Sequence, residues 1–239
     1  MLNRKRAAGK PLVAKRSMKK SDITRQRILD VAAHWFRTRG LAFTSLNDLA
    51  KQVDVKAASI YYYFPSKDSL IEEVLRIGIE LSELEAKKAV AALGPTAPYV
   101  ARIRAAILAH LKSLLEHGDY TSANIINYSH APEHVREKNK KVRKQYGEFW
   151  RELLEGAQRS GEIARDVDLS VARMFLIGAL NWAAEWYNPK KKSVEEIADD
   201  CFRIFMDGTN GRSRQGTQPS AQAAKPERNK RPERRLRAA

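Results

Sequence analysis

Apolar residues recur at helical spacing along almost the whole chain, and no stretch of useful length alternates as a β-strand would. A first helix is predicted from Ser21 or Asp22 to about Arg39, with Gly40 as its C-terminal stop. The apolar face of this helix has residues three or four positions apart, namely Ile28, Leu29, Ala32, Ala33 and Phe36. The pattern therefore predicts an all-α fold.

Two short helices follow, joined by a tight turn at residues 54–56. Thr44 and Ser45 can cap the first, whose apolar positions are Leu46, Leu49, Ala50 and Val53. The second runs from Ala57 to Phe64, and a long helix follows from 67 to 92. Two short helices joined by a three-residue turn are typical of a helix-turn-helix unit.

Further helices are predicted at about 99–117, 121–130, 133–160, 168–187 and 193–207. Segment 174–184 is apolar on nearly all sides, so each of its faces must be covered. The last helix has a packing stripe of residues three or four positions apart, formed by Ile197, Cys201, Ile204 and Gly208.

The net charge of +16 is concentrated at the two ends of the chain. Residues 1–20 hold eight Lys or Arg and no acid, and residues 210–239 hold nine against two acids, which leaves 21–209 near neutral. Both ends are predicted to be disordered basic tails, because they lack enough apolar residues to form a core. Such tails either attract nucleic-acid phosphates or merely keep the protein soluble.

Several other classes of protein are disfavoured. Cys201 is the single cysteine, which fits a reducing cytosol, and no apolar run approaches the ~20 residues of a membrane span. His130 and His134 are separated by Pro132, and no phosphate-binding loop or nucleophile motif occurs. We therefore expect a cytoplasmic protein that is not an enzyme, without a metal site, a cofactor or a membrane partner.

The segment 23–75 has many fixed points in common with a known family. They are Ile28 through Ala32, Phe36, Gly40, Thr44-Ser45, Asp48-Leu49-Ala50, Val53, Val55 and Ser59 through Leu70. In these positions the segment resembles the N-terminal domain of the TetR family of transcriptional regulators. It departs at Asp54, where the family usually has glycine, but aspartate tolerates the left-handed conformation. It also departs at Ala57-Ala58, which replaces a commoner Lys-Gly pair, so base contacts there are expected to be weaker or apolar.

The resemblance implies a helix-turn-helix DNA-binding domain at 21–67. In it, the resemblance implies that phosphate is contacted by Thr44, Ser45, Tyr61, Tyr62 and Lys67. Asn47 reaches a base edge or the backbone, and the N-terminal end of the recognition helix consists of Lys56, Ala57, Ala58 and Ser59. For Tyr63, packing between helices is favoured over DNA contact.

The resemblance also implies that 68–209 binds a small-molecule effector and forms a homodimer through its last two helices. Residues 178–187 and 193–199 are similar to a TetR subgroup that controls fatty-acid or steroid-ring degradation and senses acyl-CoA thioesters. The candidate ligand-binding residues are Tyr128, Arg143, Phe149, Trp150, Asn181, Trp182 and Trp186. Taken singly, the aromatic ones fit ordinary core or dimer interface better, and the basic run from Arg136 to Lys144 fits a solvated helix face better than a phosphate site.

Two hypotheses about function follow from the sequence. The first is a repressor that binds a near-palindromic DNA operator as a dimer and is released by an effector, which the subgroup resemblance suggests is an acyl-CoA thioester. The second is an architectural nucleic-acid-binding protein that works through its basic tails. A protein of the second kind would not need the ordered segment 44–67, so the first is preferred.

Overall fold

The computed structural model describes residues 19–116 and 118–209, and this part of the chain contains helices and no strand. The predicted all-α fold is confirmed. The tail predicted at 210–239 lies outside the described residues, as does the tail predicted at 1–20 except for Lys19 and Lys20. The helices are α1 (Lys20–Arg39), α2 (Leu46–Gln52), α3 (Ala57–Tyr63), α4 (Lys67–Ala91), α5 (Tyr99–Leu115), α6 (Asp119–Asn127), α7 (Glu133–Arg159), α8 (Leu169–Trp186) and α9 (Val194–Thr209).

One predicted boundary is wrong. The helix expected at 121–130 is α6, which begins at Asp119 and ends at Asn127, and a 3₁₀ turn follows over Tyr128–His130. Asp119 lies in the first turn of α6, where its negative carboxylate interacts favourably with the positive end of the helix dipole. At the other end, the Asn127 side-chain amide donates to the carbonyl oxygens of Phe36 and Ala123, which joins the end of α6 to the end of α1.

An N-terminal core holds α1, α2, α3 and the first half of α4 together. Ile28, Phe36, Leu49 and Ile60 are fully buried in it. Gly40 ends α1 with a φ of 81°, a conformation that glycine adopts without steric cost. Ala123 of α6 and two residues around the start of α7, Ala131 and Val135, also belong to this core, so the second half of the chain supports the first.

A second core is built from α5, α7, α8, α9 and the second half of α4. Its largest fully buried side chain is Trp150, which packs among residues such as Ile107, Leu154 and Leu180. Helix α4 contributes Leu75 to the first core and Ile79 to the second, so one continuous helix joins the two. A displacement of α4 in one core must therefore also displace its residues in the other core.

Helix α6 lies directly against α4. A Cβ atom on Gly78 would be 2.3 Å from the Tyr120 carbonyl oxygen, so only glycine permits this approach of the two backbones. The Asn124 side-chain amide donates to the Leu75 carbonyl oxygen at 2.8 Å. Helix α6 is thus fixed to both α1 and α4.

Candidate DNA-binding surface and ligand cavity

Helix α2 begins with a side-chain cap. The Ser45 hydroxyl oxygen accepts a hydrogen bond from the Asp48 backbone N–H at 3.1 Å, and the hydroxyl donates to the Asp48 carboxylate at 2.6 Å. The hydrogen bond from the Ser45 hydroxyl to the Asp48 carboxylate is the main reason that the pKa of Asp48 is lowered. The cap fixes the direction in which the N-terminus of α2 points.

The turn between α2 and α3 depends on Asp54. Its φ of 56° lies in the left-handed region, and it is the non-glycine residue with positive φ in the described part of the chain. The left-handed conformation expected for this aspartate is therefore confirmed. A hydrogen bond from the Val55 N–H to the Ala50 carbonyl closes the turn at 3.0 Å and fixes the angle at which α3 leaves α2.

Helix α3 has one buried and one exposed face. Ile60 is fully buried, as is Phe64 just after the helix, whereas Tyr62 is 81% exposed. Tyr63 is half-buried against the N-terminal core and meets the Tyr62 ring edge-to-face, as favoured for it from the sequence. The outer face of α3 is therefore free to meet another molecule.

The residues proposed for DNA contact differ in accessibility. Thr44 is 2% exposed and its hydroxyl donates to the Gly40 carbonyl oxygen, so it has little surface for a phosphate. Ser59 and Lys67 are half-buried. The others are exposed on α2, α3 or the residue before α3, and they are Ser45, Asn47, Lys56, Ala57, Ala58, Tyr61 and Tyr62.

Phe43 is an exposed residue that sequence analysis missed. Its side chain is 82% exposed two residues before Ser45, the cap of α2. It lies outside the apolar periodicity of either flanking helix, so no pattern in the sequence marks it.

A cavity of about 140 Å³ lies between α4, α5, α6, α7 and α8. Its apolar lining comes from Ile79, Ile125, Met174 and Ile177, and its polar lining comes from Ser82, His110, Asn124, Arg143, Tyr146, Arg173 and Asn181. We call this the effector cavity, after the small-molecule effector expected from the sequence. This lining suits a small molecule with both apolar and polar parts.

His110 links three helices at the buried end of this cavity. Its Nε2 is 3.1 Å from the Asn181 Oδ1 and its Nδ1 is 2.9 Å from the Tyr146 hydroxyl. Since an amide oxygen only accepts, Nε2 carries the proton and the Tyr146 hydroxyl donates to Nδ1. Burial lowers the pKa of His110 from 6.5 to about 4 and raises the pKa of Tyr146, so both are neutral at physiological pH.

The buried neutral His110 predicts acid sensitivity of the fold. The unfolded chain binds a proton at His110 below about pH 6.5, whereas the folded chain does so only below about pH 4, so stability falls as pH decreases through this window. We expect about 3 kcal/mol to be lost from this residue between pH 7.5 and pH 4. Urea unfolding at both pH values should show a smaller loss in His110→Gln than in the wild type; equal losses in the two proteins would contradict the prediction.

The predicted ligand residues are only partly brought together. Asn181 and Arg143 line the effector cavity, and the Arg143 guanidinium lies 3.8 Å above the Tyr128 ring. Trp150 is fully buried behind His110 and meets it edge-on. Phe149 is half-buried and stacks on Tyr146.

Trp182 and Trp186 do not line the effector cavity but lie on an exposed face of α8. Large apolar side chains on this face and on the neighbouring face of α9 are 48% to 68% exposed, and they are Val171, Met174, Phe175, Trp182, Trp186 and Ile204. We call this set the apolar stripe. A contiguous set of exposed apolar side chains marks an interaction surface.

The basic run on α7 is largely occupied by contacts within the chain. Lys138 pairs with Glu72 and Lys140 with Glu137, while the Arg136 guanidinium donates to the Ala131 carbonyl oxygen. These contacts agree with the solvated helix face favoured from the sequence. Arg143 also has no acidic partner in the described part of the chain, but unlike the other cations of the run it lines the effector cavity.

The described residues contain neither a membrane-spanning helix nor a metal-binding cluster. No helix there is both long and apolar enough to span a membrane. No group of three or more His, Cys, Asp or Glu side chains within 19–116 and 118–209 is placed to hold a metal ion.

Two family profiles match the chain. "Bacterial regulatory proteins, tetR family" matches residues 28–74, and "Tetracyclin repressor-like, C-terminal domain" matches residues 96–209. The transcriptional repressor KstR2 of Rhodococcus jostii is 28% identical over an alignment of 191 residues, and the match covers 77% of this chain and 90% of that protein. The probable acrEF/envCD operon repressor of Escherichia coli is 26% identical, over 83% of this chain and 94% of that protein. The structure of AibR with isovaleryl coenzyme A and operator DNA has a TM-score of 0.65 at 24% identity, and covers 76% of this chain and 97% of that one.

Proposed function

Because the chain belongs to the TetR family of bacterial transcriptional regulators, we propose that it is a repressor that binds a near-palindromic operator as a homodimer and is released by a small-molecule effector. Its relatives are named as repressors. The observation on which the proposal depends most is the exposed outer face of α3, which is anchored from behind by Ile60 and Phe64.

The surface around α3 suits the two kinds of DNA contact. Ser45 at the N-terminus of α2, Tyr62 on α3 and Lys67 at the start of α4 have the donors that bind phosphate oxygens. Ala57 and Ala58 are small and exposed, so the N-terminal end of α3 can approach base edges, where a methyl group suits thymine. Thr44 is left out of this surface because it is buried.

The apolar stripe supports a homodimer. The stripe runs along α8 and includes Ile204 of α9, the two helices expected from the sequence to dimerise. A second copy of the same face can cover it with twofold symmetry, and the two copies of α3 would then meet two half-sites of a near-palindrome.

The effector cavity is connected through α6 to the N-terminal core, which also holds α3. Asn124 lines the cavity and donates to α4, and Asn127 at the end of the same helix donates to the last turn of α1. Asp119 at its start forms an ion pair with Arg37 and a hydrogen bond with His34, both on α1. An effector that binds better to a displaced α6 would shift the dimer toward a state with the wrong spacing of recognition helices.

We propose that the effector is an apolar acid or its CoA thioester. The effector cavity offers apolar walls, where each buried methylene contributes on the order of 0.8 kcal/mol, and it has cationic groups at Arg143 and Arg173. The AibR structure, which was determined with isovaleryl coenzyme A, shares the fold.

Removal of a phosphate contact tests the DNA-binding surface. Lys67→Ala should weaken binding about tenfold for all DNA sequences and reduce the salt slope by about one unit, while Tyr62→Phe should weaken binding by a smaller factor. Lys88→Ala is the matched control, because Lys88 lies exposed at the other end of α4. Fluorescence anisotropy at several salt concentrations measures both quantities. Unchanged affinity and slope in Lys67→Ala would show that α4 does not meet the backbone.

A further inference from the structure

The effector cavity has two arginines in its lining. Arg143 comes from α7 and Arg173 from α8, and neither forms an ion pair with any described carboxylate. Elsewhere on α7, Lys138 and Arg151 have acidic partners. Two cations without an anion beside one cavity leave a net positive charge there.

The present partners of Arg143 are neutral. Its guanidinium lies over the Tyr128 ring, and its Nη1 donates to the Asn124 Oδ1 at a long 3.4 Å. The Arg143 side chain as a whole remains exposed, but neighbouring groups partly remove the guanidinium from water, and this desolvation lowers the pKa of Arg143. A carboxylate or phosphate would be a much stronger partner than either neutral group.

The absence of a side chain at Gly147 lets the Arg173 guanidinium lie close to α7. A Cβ atom at residue 147 would be 3.2 Å from the Arg173 Nη1, closer than most side chains tolerate. Residue 147 is four positions after Arg143, on the same face of the helix. The Arg173 guanidinium therefore lies about one helical turn along α7 from the backbone of Arg143.

We propose that Arg143 and Arg173 together bind the anionic group of the effector. This inference rests on the proposed ligand-responsive function and specifies the ligand as an amphipathic anion. Its apolar part lies against Ile79, Ile125 and Ile177, and the anion is either a carboxylate or a phosphate of coenzyme A.

The same contact would transmit the signal. Asn124 belongs to α6 and Tyr128 to the 3₁₀ turn that follows it, so both present partners of Arg143 lie in the segment joined to α1. An anion that draws the guanidinium away removes both contacts at once. Helix α6 is then held less firmly at the end nearest the N-terminal core.

The test uses three series of probes with the full-length chain: straight-chain carboxylates of four to ten carbons, their CoA thioesters and their methyl esters. Calorimetry should show binding of at least one anionic series and none of the neutral esters. Arg143→Gln and Arg173→Gln should each weaken that binding by about ten- to a hundredfold. Lys144→Gln, which removes the same charge from an exposed neighbour on α7, should leave it unchanged. Whichever anionic series binds identifies the carboxylate or the phosphate.

Arg173→Lys distinguishes the loss of the positive charge from misfolding of the variant. It keeps the cation and should therefore retain part of the affinity. Equal binding of esters and anions, no binding of either anionic series, or wild-type binding in both glutamine variants would overturn the proposal. Operator binding by the unliganded protein is measured alongside. Its presence with unaffected arginine variants refutes only the arginine pair, whereas its absence in the wild type refutes the proposed function itself.

Discussion

Phe175→Asp is expected to convert the dimer into monomers and to reduce operator affinity at least about a hundredfold. Phe175 is 64% exposed in the single chain and lies in the middle of the apolar stripe, next to Met174 and one turn from Val171. A carboxylate there would have to be desolvated without a partner when a second copy covers the stripe, which costs several kcal/mol. A monomer then contacts one half-site only and loses most of the binding energy.

Sedimentation velocity at micromolar concentration, together with anisotropy on the operator, measures this effect. Leu84→Asp is the matched control, because Leu84 is 48% exposed on α4 and does not belong to the stripe. Thermal unfolding should show that both variants remain folded. A Phe175→Asp protein that stays dimeric would show that the stripe is not the interface.

Ala58→Glu is expected to abolish sequence-specific binding, with a loss of at least about a hundredfold. Ala58 is exposed in the first turn of α3, so the longer side chain fits without disturbing the fold, and a carboxylate near a helix N-terminus is compatible with the dipole. Between DNA strands, however, the same carboxylate meets phosphates of like charge and base edges that it can seldom pair with.

Two further variants make this result specific. Ala58→Ser should keep most of the affinity and change which bases are preferred, because it alters the group that faces the base edges. Ala91→Glu adds the same charge at the far end of α4 and should bind as the wild type does. If Ala58→Glu and Ala91→Glu were equally active on the operator, α3 would not be the recognition helix.

The helices and their ends were largely predictable because they depend on local chemistry. Ser45 caps α2, Gly40 ends α1 and Asp54 takes the left-handed turn, and each of these follows from a side chain and its near neighbours. The N-terminal turn of α6 was not predictable, since the contact of Asp119 in this turn with His34 of α1 joins residues 85 positions apart.

Periodicity also could not tell interface from core on α8. From the apolar pattern alone, replacing Leu180 of α8 or Phe205 of α9 by a charged residue would be expected to give monomers. Both are buried inside the single chain, at 0% and 4% exposure, so a charge there would unfold it. A helix that is apolar on all sides must have each face covered in the functional protein. Only the packing of α5, α7 and α9 shows which face of α8 is left exposed in the single chain.

The ligand cavity was the least predictable part. Arg143 and Asn181 are in it, but His110 and Arg173 were missed because they come from α5 and α8 and belong to no motif. They line the same cavity only through the packing of α4, α5, α6, α7 and α8, which no local pattern specifies.

The most direct test of the central claim is the ratio of affinities for a selected operator and for random DNA, measured as salt rises. The operator is first selected from a random duplex library with the purified protein. Recognition through α3 predicts a near-palindromic sequence and a ratio of roughly a thousandfold or more that persists at physiological salt. Binding that selects no sequence, depends only on DNA length and disappears with salt for all DNA alike would contradict it.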